Sequence, residues 1–114
     1  IEVEQWLMWQ MAGFGPMLGQ NHHFSRFAPE RIAYATERYV AETKRLYRVL
    51  DTQLTNRDYV AGDYSIADMA ILPWILRHAW QQIDLADYPH VLAYMQRLTA
   101  RPAVQRALAI QLTA

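Results

Sequence analysis

The side chains able to carry chemistry in this 114-residue chain are few, and their spacing decides most of what they can do. There is no cysteine, so thiolate nucleophiles, disulfides and cysteine metal sites are excluded from the segment. His22 and His23 are adjacent. On a helix such neighbours point about 100° apart, which suits two separate environments better than one shared ion. No carboxylate cluster lies near them in sequence, so no metal site is expected, and a satisfied structural histidine is the simplest reading of each. His78 and His90 stand alone and receive no role. Ser65 and Asp68 have the residue types of a nucleophile and an acid, but their three-residue spacing ahead of an apolar run specifies a capping box. The Ser65 hydroxyl accepts from the backbone N–H of residue 68, and the Asp68 carboxylate reaches back to the N–H of Ser65. Tyr64 and Met69 flank the box as a hydrophobic staple, and the whole start stabilises its helix by ~1–2 kcal/mol. Their polar groups are thus spent on folding, and no catalytic role is assigned to them. Arg38, Glu42 and Arg45 are spaced to pair along one wet helical face, each pair worth only ~0.2–0.5 kcal/mol.

These residues need elements to hold them, and every element that can be read is helical. Ile1 to about Met11 carries Val3, Trp6, Leu7 and Gln10 at helical spacing. Gly13-Phe14-Gly15-Pro16 is expected to break and kink that helix, which resumes from Met17 to Phe24. Pro29 suits a first helical position, and a long amphipathic helix follows from Glu30 to about Gln53. Its apolar face holds Tyr39, Val40, Thr43, Leu46, Tyr47, Leu50 and Leu54. The helix after Ser65 is apolar on all sides, which predicts a central helix surrounded by the others, bent at Pro73. Pro89 opens another helix, and Arg101-Pro102 separates it from a last short one over Ala103–Ile110. The architecture expected is all-α, a bundle of about five or six helices.

Bulk properties agree with a single packed domain. Apolar residues make up 53% and aromatic residues 12%, and eleven basic residues balance eleven acidic ones. No basic stripe interleaved with aromatics appears, so nucleic acid is a poor partner. The longest apolar run, Met69 to Ile75, is too short to span a bilayer and contains a proline. No signal peptide is evident, and a soluble, cytoplasmic domain is expected. The chain opens without an initiator methionine, directly in a helix-like segment, and reads as a piece of a longer protein.

Gly62-Asp63-Tyr64-Ser65-Ile66-Ala67-Asp68 followed by an apolar helix resembles the folding motif in the C-terminal domain of glutathione S-transferases. The Tyr88-Pro89-His90-Val91 and Leu98-Thr99-Ala100-Arg101-Pro102-Ala103 segments are similar to that family's closing helices. Trp6-Leu7-Met8-Trp9-Gln10, Gly15 through Phe24, and Glu37-Arg38-Tyr39 with Glu42-Thr43 and Arg45-Leu46-Tyr47 resemble the bacterial nu-type branch, which includes glutathione-dependent disulfide-bond reductases and a related fungal regulatory protein. The resemblance covers essentially all of residues 1–114. It implies a thioredoxin-like N-terminal domain, absent from this chain, that binds most of glutathione and activates its thiol.

The same resemblance implies the site. It places Arg38 at the glutathione cleft, where a guanidinium can hold a ligand carboxylate bidentately; an ordinary surface pair with Glu42 is the competing reading. Phe14, Met17, Leu18 and Phe24 on the first helix of the domain, with His22, His23 and Tyr39, would wall the second-substrate pocket. A soft wall of methionine and aromatics suits apolar electrophiles or disulfides, and core packing competes with it for each residue. The implied protein is a homodimeric enzyme that uses glutathione as cosubstrate for conjugation or disulfide exchange, with the isolated chain inactive. The alternative is a non-enzymatic module, since similar helical domains serve as interaction and regulatory surfaces.

Overall fold

In the computed structural model, residues 1–110 are described, and among them the chain forms six α-helices and no sheet beyond one isolated bridge, Tyr59 to Gly62. The first is α1 (Glu2–Trp9), where Glu2 and Glu4 place negative charge in the opening turn and so favour the helix dipole. It does not break at the glycines. The chain runs on through a π-helical turn, Gln10–Phe14, into α2 (Gly15–His22) and then a second π turn, His23–Phe27. Gly15 donates its N–H to the carbonyl of Gln10, five residues back. Pro16 has no N–H, and its ring would strike a carbonyl in a regular ladder; a wider turn just before it offsets the ladder by one residue. The expected interruption is therefore absorbed as a bulge. Gly15 has a second reason to be glycine: a Cβ there would stand 2.6 Å from Gln10 Nε2 and 3.2 Å from Trp74 Nε1.

The long helix α3 (Ala33–Gln53) starts four residues beyond Pro29, with Ile32 extended as an N-cap that offers no side-chain acceptor. The Thr36 hydroxyl instead ties its first turn to the carbonyl of Phe24 at 3.3 Å. Thr43, Leu46, Tyr47 and Leu50 point inward, as their spacing predicts. Asp51 also faces in, where its carboxylate accepts from the N–H groups of His90 at 2.9 Å and Val91 at 3.1 Å. It thereby caps α5 (Pro89–Thr99), which has no cap of its own in sequence. Gly62, at φ +94°, turns the chain toward α4 (Ile66–Ile75).

The capping box forms. The Ser65 hydroxyl accepts from the backbone of the first turn, 3.2 Å from the Ala67 nitrogen, and Asp68 Oδ2 accepts from the Ser65 N–H at 2.9 Å. Tyr64 packs against Tyr59 and lies 3.6 Å beneath the Arg101 guanidinium carbon. The helix it starts is not enclosed, contrary to its all-round apolar sequence. Ala67, Asp68, Ile71, Leu72 and Ile75 are buried, whereas Ile66 and Met69 are 55% and 52% exposed and Pro73 is exposed beside them. Helices α1, α2 and α5 cover one side of α4, and no described residue covers the stripe at 66, 69 and 73. Two 3-10 turns, His78–Gln81 and Leu85–Asp87, lead into α5, and α6 (Pro102–Leu108) closes the described chain. Phe14, Leu18, Tyr47, Leu50, Ile71, Ile75, Val91, Tyr94 and Leu98 form the core. No described helix is long and apolar enough to cross a membrane.

Candidate functional site

Positions 38, 41, 42 and 45 lie one above another on the outward face of α3, because i, i+3, i+4 and i+7 share one side of a helix. With Tyr39, and with Met17 reaching across from α2, they line an open groove of about 280 Å³. Ala41 in the middle keeps its floor low. The Nε of Arg45 donates to Glu42 Oε1, so Glu42 pairs three residues forward rather than four back. Arg38 consequently has no ion-pair partner among the described residues. A guanidinium left free in a groove, with a methionine opposite and a tyrosine beside it, is suited to hold a carboxylate in its fork.

The aromatic side of the groove is built by stacking. The Tyr39 ring lies parallel to Phe24, 5.6 Å between centroids and 4° between planes, and His23 meets Phe24 edge-on at 4.9 Å. Met17, Arg38 and Tyr39 are thus brought together, with Phe24 and His23 adjoining them. Phe14 and Leu18 are fully buried instead. Phe14 stacks on Trp9 at 4.8 Å and packs on Tyr47 at 5.4 Å, so in this chain both residues are core and present no surface to the groove.

His22 points away from His23, as adjacent helical positions require. Its ring sits between Trp74 and Trp80, 5.7 Å from each. Its Nε2 lies 3.0 Å from Gln81 Nε2. The oxygen of that amide accepts the Tyr47 hydroxyl at 2.6 Å, and its nitrogen also donates to the Trp74 carbonyl at 2.8 Å. The Gln81 nitrogen must therefore be the donor to His22, whose Nε2 is an acceptor and whose ring is neutral. Burial, reinforced by the charges of Arg77 and Arg26, holds the His22 pKa below its ordinary value. Burial likewise raises the Tyr47 pKa. Asn21 completes this layer by donating to Thr43 Oγ1 at 2.9 Å and to the Gln81 carbonyl at 3.0 Å. Among the described residues, no three His, Asp or Glu side chains come together to hold a metal ion.

The sequence left three groove residues unassigned, Ala41, Glu42 and Arg45. Their signal was the stripe they share with Arg38. The Asn21–Thr43–Gln81 layer left no signal in sequence, because Gln81 lies sixty residues from Asn21 and in a 3-10 turn.

Comparison with known proteins places the fold in a family. The family model described as Glutathione S-transferase, C-terminal domain, matches residues 11–102. The Escherichia coli K12 protein named Disulfide-bond oxidoreductase YfcG is 53% identical over 105 residues, covering 91% of this chain and 49% of that protein. A glutathione transferase of Burkholderia graminis, crystallised with two glutathione molecules bound per subunit, superposes with a TM-score of 0.85. It is 40% identical, over 94% of this chain and 48% of that one. A Pseudomonas putida glutathione transferase crystallised with one glutathione disulfide per subunit gives a TM-score of 0.87. Its identity is 41%, over 96% of this chain and 50% of that one. The chain thus spans about half the length of these relatives. From the capped Ser65 helix to the matched residues 11–102, the chain belongs to the glutathione S-transferase family, as its C-terminal helical domain.

Proposed function

We propose that this chain is the helical half of a glutathione-dependent enzyme that reduces disulfides or conjugates apolar electrophiles. In that reading Arg38 holds a glutathione carboxylate, and Met17, Tyr39, Phe24 and His23 border the site of the second substrate. The observation that carries it is the unpaired Arg38 in the groove, beside a Glu42 already taken by Arg45. The similarity to a disulfide-bond oxidoreductase and to transferases crystallised with glutathione supports the same reading.

In disulfide reduction, a glutathione thiolate attacks one sulfur of the substrate disulfide and expels the other as a thiolate. A second glutathione then resolves the mixed disulfide and leaves glutathione disulfide. The thiolate is activated in the half of the protein outside this chain. The helical half orients the tripeptide and shields the exchange from water. The full-length protein is a cytoplasmic homodimer on this reading, which for both properties rests on family likeness.

Glutathione-dependent reduction of a small disulfide by the full-length protein tests it, with and without Arg38→Ala. A charge-assisted contact of about 1.5–3 kcal/mol implies affinity weakened roughly 10- to 150-fold in the variant. Unchanged affinity and turnover would remove Arg38 from the site. A wild type that neither binds glutathione nor turns over would favour the interaction-module reading.

A further inference from the structure

Arg26 lies in the second π turn and Arg77 just beyond α4, yet both guanidinium groups rest on one ring, the indole of Trp80. Their central carbons are 4.3 and 4.5 Å from its centroid. Laid end to end, those two distances keep the guanidinium carbons within about 9 Å of each other. Both side chains are exposed, and neither has an ion-pair partner among the described residues. Arg45, Arg48, Arg57, Arg97 and Arg101, by contrast, each donate to a carboxylate, a carbonyl or a hydroxyl. A guanidinium lying over a ring spends its face on the contact and keeps its N–H donors at the rim. Two unspent forks are therefore held close together, and their like charges favour an anion between them. His22 senses both. Its ring meets Trp80 edge-on at 5.7 Å, and after burial it is Arg77 and Arg26 that depress its pKa. Phe27 adjoins the pair, 58% exposed and edge-on to Trp80 at 5.8 Å.

We propose that Arg26 and Arg77, mounted on Trp80, clamp a phosphate monoester carried by a segment of a partner protein, with Phe27 receiving an apolar side chain beside it. Two forks match this group in charge and in donors. A phosphate monoester carries a charge of about −1.5 to −2 at neutral pH and three strong acceptor oxygens, whereas a carboxylate brings a single charge and fewer acceptors. Each fork reaches an oxygen at ~2.7–2.9 Å, so one tetrahedral group fits between carbons no farther apart than about 9 Å. The indole has already fixed both long side chains, which lowers the ordering cost that free arginines would meet. The surface is too shallow to enclose a small molecule. The cleft that Arg26 borders, with Ser25, Glu30, Arg31 and Thr36, holds about 160 Å³, below the ~300–1,000 Å³ of small-molecule pockets. A peptide can lie along such a surface and present its phosphate to the clamp, the mode in which arginine clusters read phosphorylated segments. None of these residues lines the groove of Arg38, and the proposal does not rest on the glutathione reading.

Calorimetric titration of the full-length protein tests this with four probes. They are a blocked peptide holding one phosphoserine followed by leucine, the same peptide with serine, the same with glutamate, and inorganic phosphate. The variants are Arg26→Gln, Arg77→Gln and Phe27→Ala, with Arg106→Gln on α6 as a control for net charge, each checked for unchanged circular dichroism. The phosphopeptide is expected to bind the wild type and Arg106→Gln alike, and about tenfold more weakly to either clamp variant. The glutamate peptide is expected to bind the wild type about tenfold more weakly than the phosphopeptide, and the serine peptide not measurably. Phe27→Ala is expected to weaken the phosphopeptide a few-fold and to leave inorganic phosphate unchanged. Clamp variants that bind the phosphopeptide as the wild type does would overturn the proposal. Equal weakening in Arg106→Gln would reduce the attraction to net charge and overturn it too. Inorganic phosphate held as tightly as the peptide would refute the protein partner. Binding of phosphatidate vesicles without binding of the phosphopeptide would refute it in favour of a membrane surface. A wild type that binds none of the probes would leave no clamp at all.

Discussion

Replacing Asp68 with alanine should cost far more than an ordinary helix cap. Its carboxylate serves three donors at once: the Ser65 N–H at 2.9 Å, the Val60 N–H at 3.1 Å and the Tyr94 hydroxyl. Val60, Asp68 and Tyr94 are all fully buried. Orphaning a buried donor costs about 1–3 kcal/mol, and the half-buried Ser65 N–H can regain water. The sum for two buried donors and one recoverable one is about 2–6 kcal/mol, against the ~5–15 kcal/mol that holds a typical domain together. Removing the cap alone, by Ser65→Ala, costs only about 1 kcal/mol. Urea unfolding followed by fluorescence separates the two. With a slope near 2 kcal/mol/M, Asp68→Ala lowers the midpoint by about 1–3 M and Ser65→Ala by about 0.5 M, the slope staying constant in both. Adding Tyr94→Phe to Asp68→Ala removes one of the orphans, so the double variant should lose less than the two single losses combined. If Asp68→Ala falls no further than Ser65→Ala, the carboxylate is a local cap and its bonds to Val60 and Tyr94 contribute nothing.

Gly15→Ala should destabilise by about 1–3 kcal/mol, because its Cβ would press on Gln10 and on Trp74 at 2.6 and 3.2 Å; thermal unfolding measures it, and a neutral result would mean the π turn yields freely. Asp51→Ala should cost about 1–2 kcal/mol through the lost cap of α5, with amide exchange accelerating first at His90 and Val91. His22 predicts a pH dependence. Its folded pKa lies below the ordinary 6.5, so its contribution to stability is full above that value and is lost as pH falls through the folded pKa. The difference in unfolding free energy between wild type and His22→Gln should therefore shrink on acidification below about pH 6.5, and a difference independent of pH would show that burial and the nearby arginines do not hold the ring neutral.

How much of this could be read beforehand depended on whether the cause was local. The Ser65–Asp68 box was legible because both partners lie within one turn, and the six helices were legible because apolar periodicity survives in single sequences. The openness of α4 was not. An apolar helix reads as central whether or not its last face is covered, and among the described residues Ile66 and Met69 are left open. The continuous first helix was missed because glycine and proline signal a break, whereas a π turn offers the backbone another way past the missing N–H of Pro16. Asp51 and Gln81 were missed for a different reason. Each works on partners 30 to 60 residues away, and nothing in their own neighbourhood marks a buried polar side chain. At the groove, Arg38 stood out by resemblance, while Arg38–Glu42 and Glu42–Arg45 both read as wet-face pairs, of which the structure forms only the second.

The groove keeps its shape only if α3 cannot slide, and the polar layer beneath that helix supplies the restraint. Thr43 donates to the Tyr39 carbonyl at 2.7 Å while accepting from Asn21 of α2. Four residues on, Tyr47 is tied to Gln81, which is held in turn by Asn21 and by the Trp74 carbonyl. Shifting α3 along its axis by one turn would break this set together, in a buried setting where each orphaned group costs about 1–3 kcal/mol. Residues 39, 43 and 47 are thereby committed to register, and their neighbours 38, 42 and 45 are left on the groove side. The division also explains why the groove charges can vary without unfolding the domain: exposed substitutions of this kind stay within about 0.5 kcal/mol, whereas the layer under them does not share that tolerance. The register-setting bonds and the groove charges occupy different faces of one helix, and the buried face fixes where the exposed one stands.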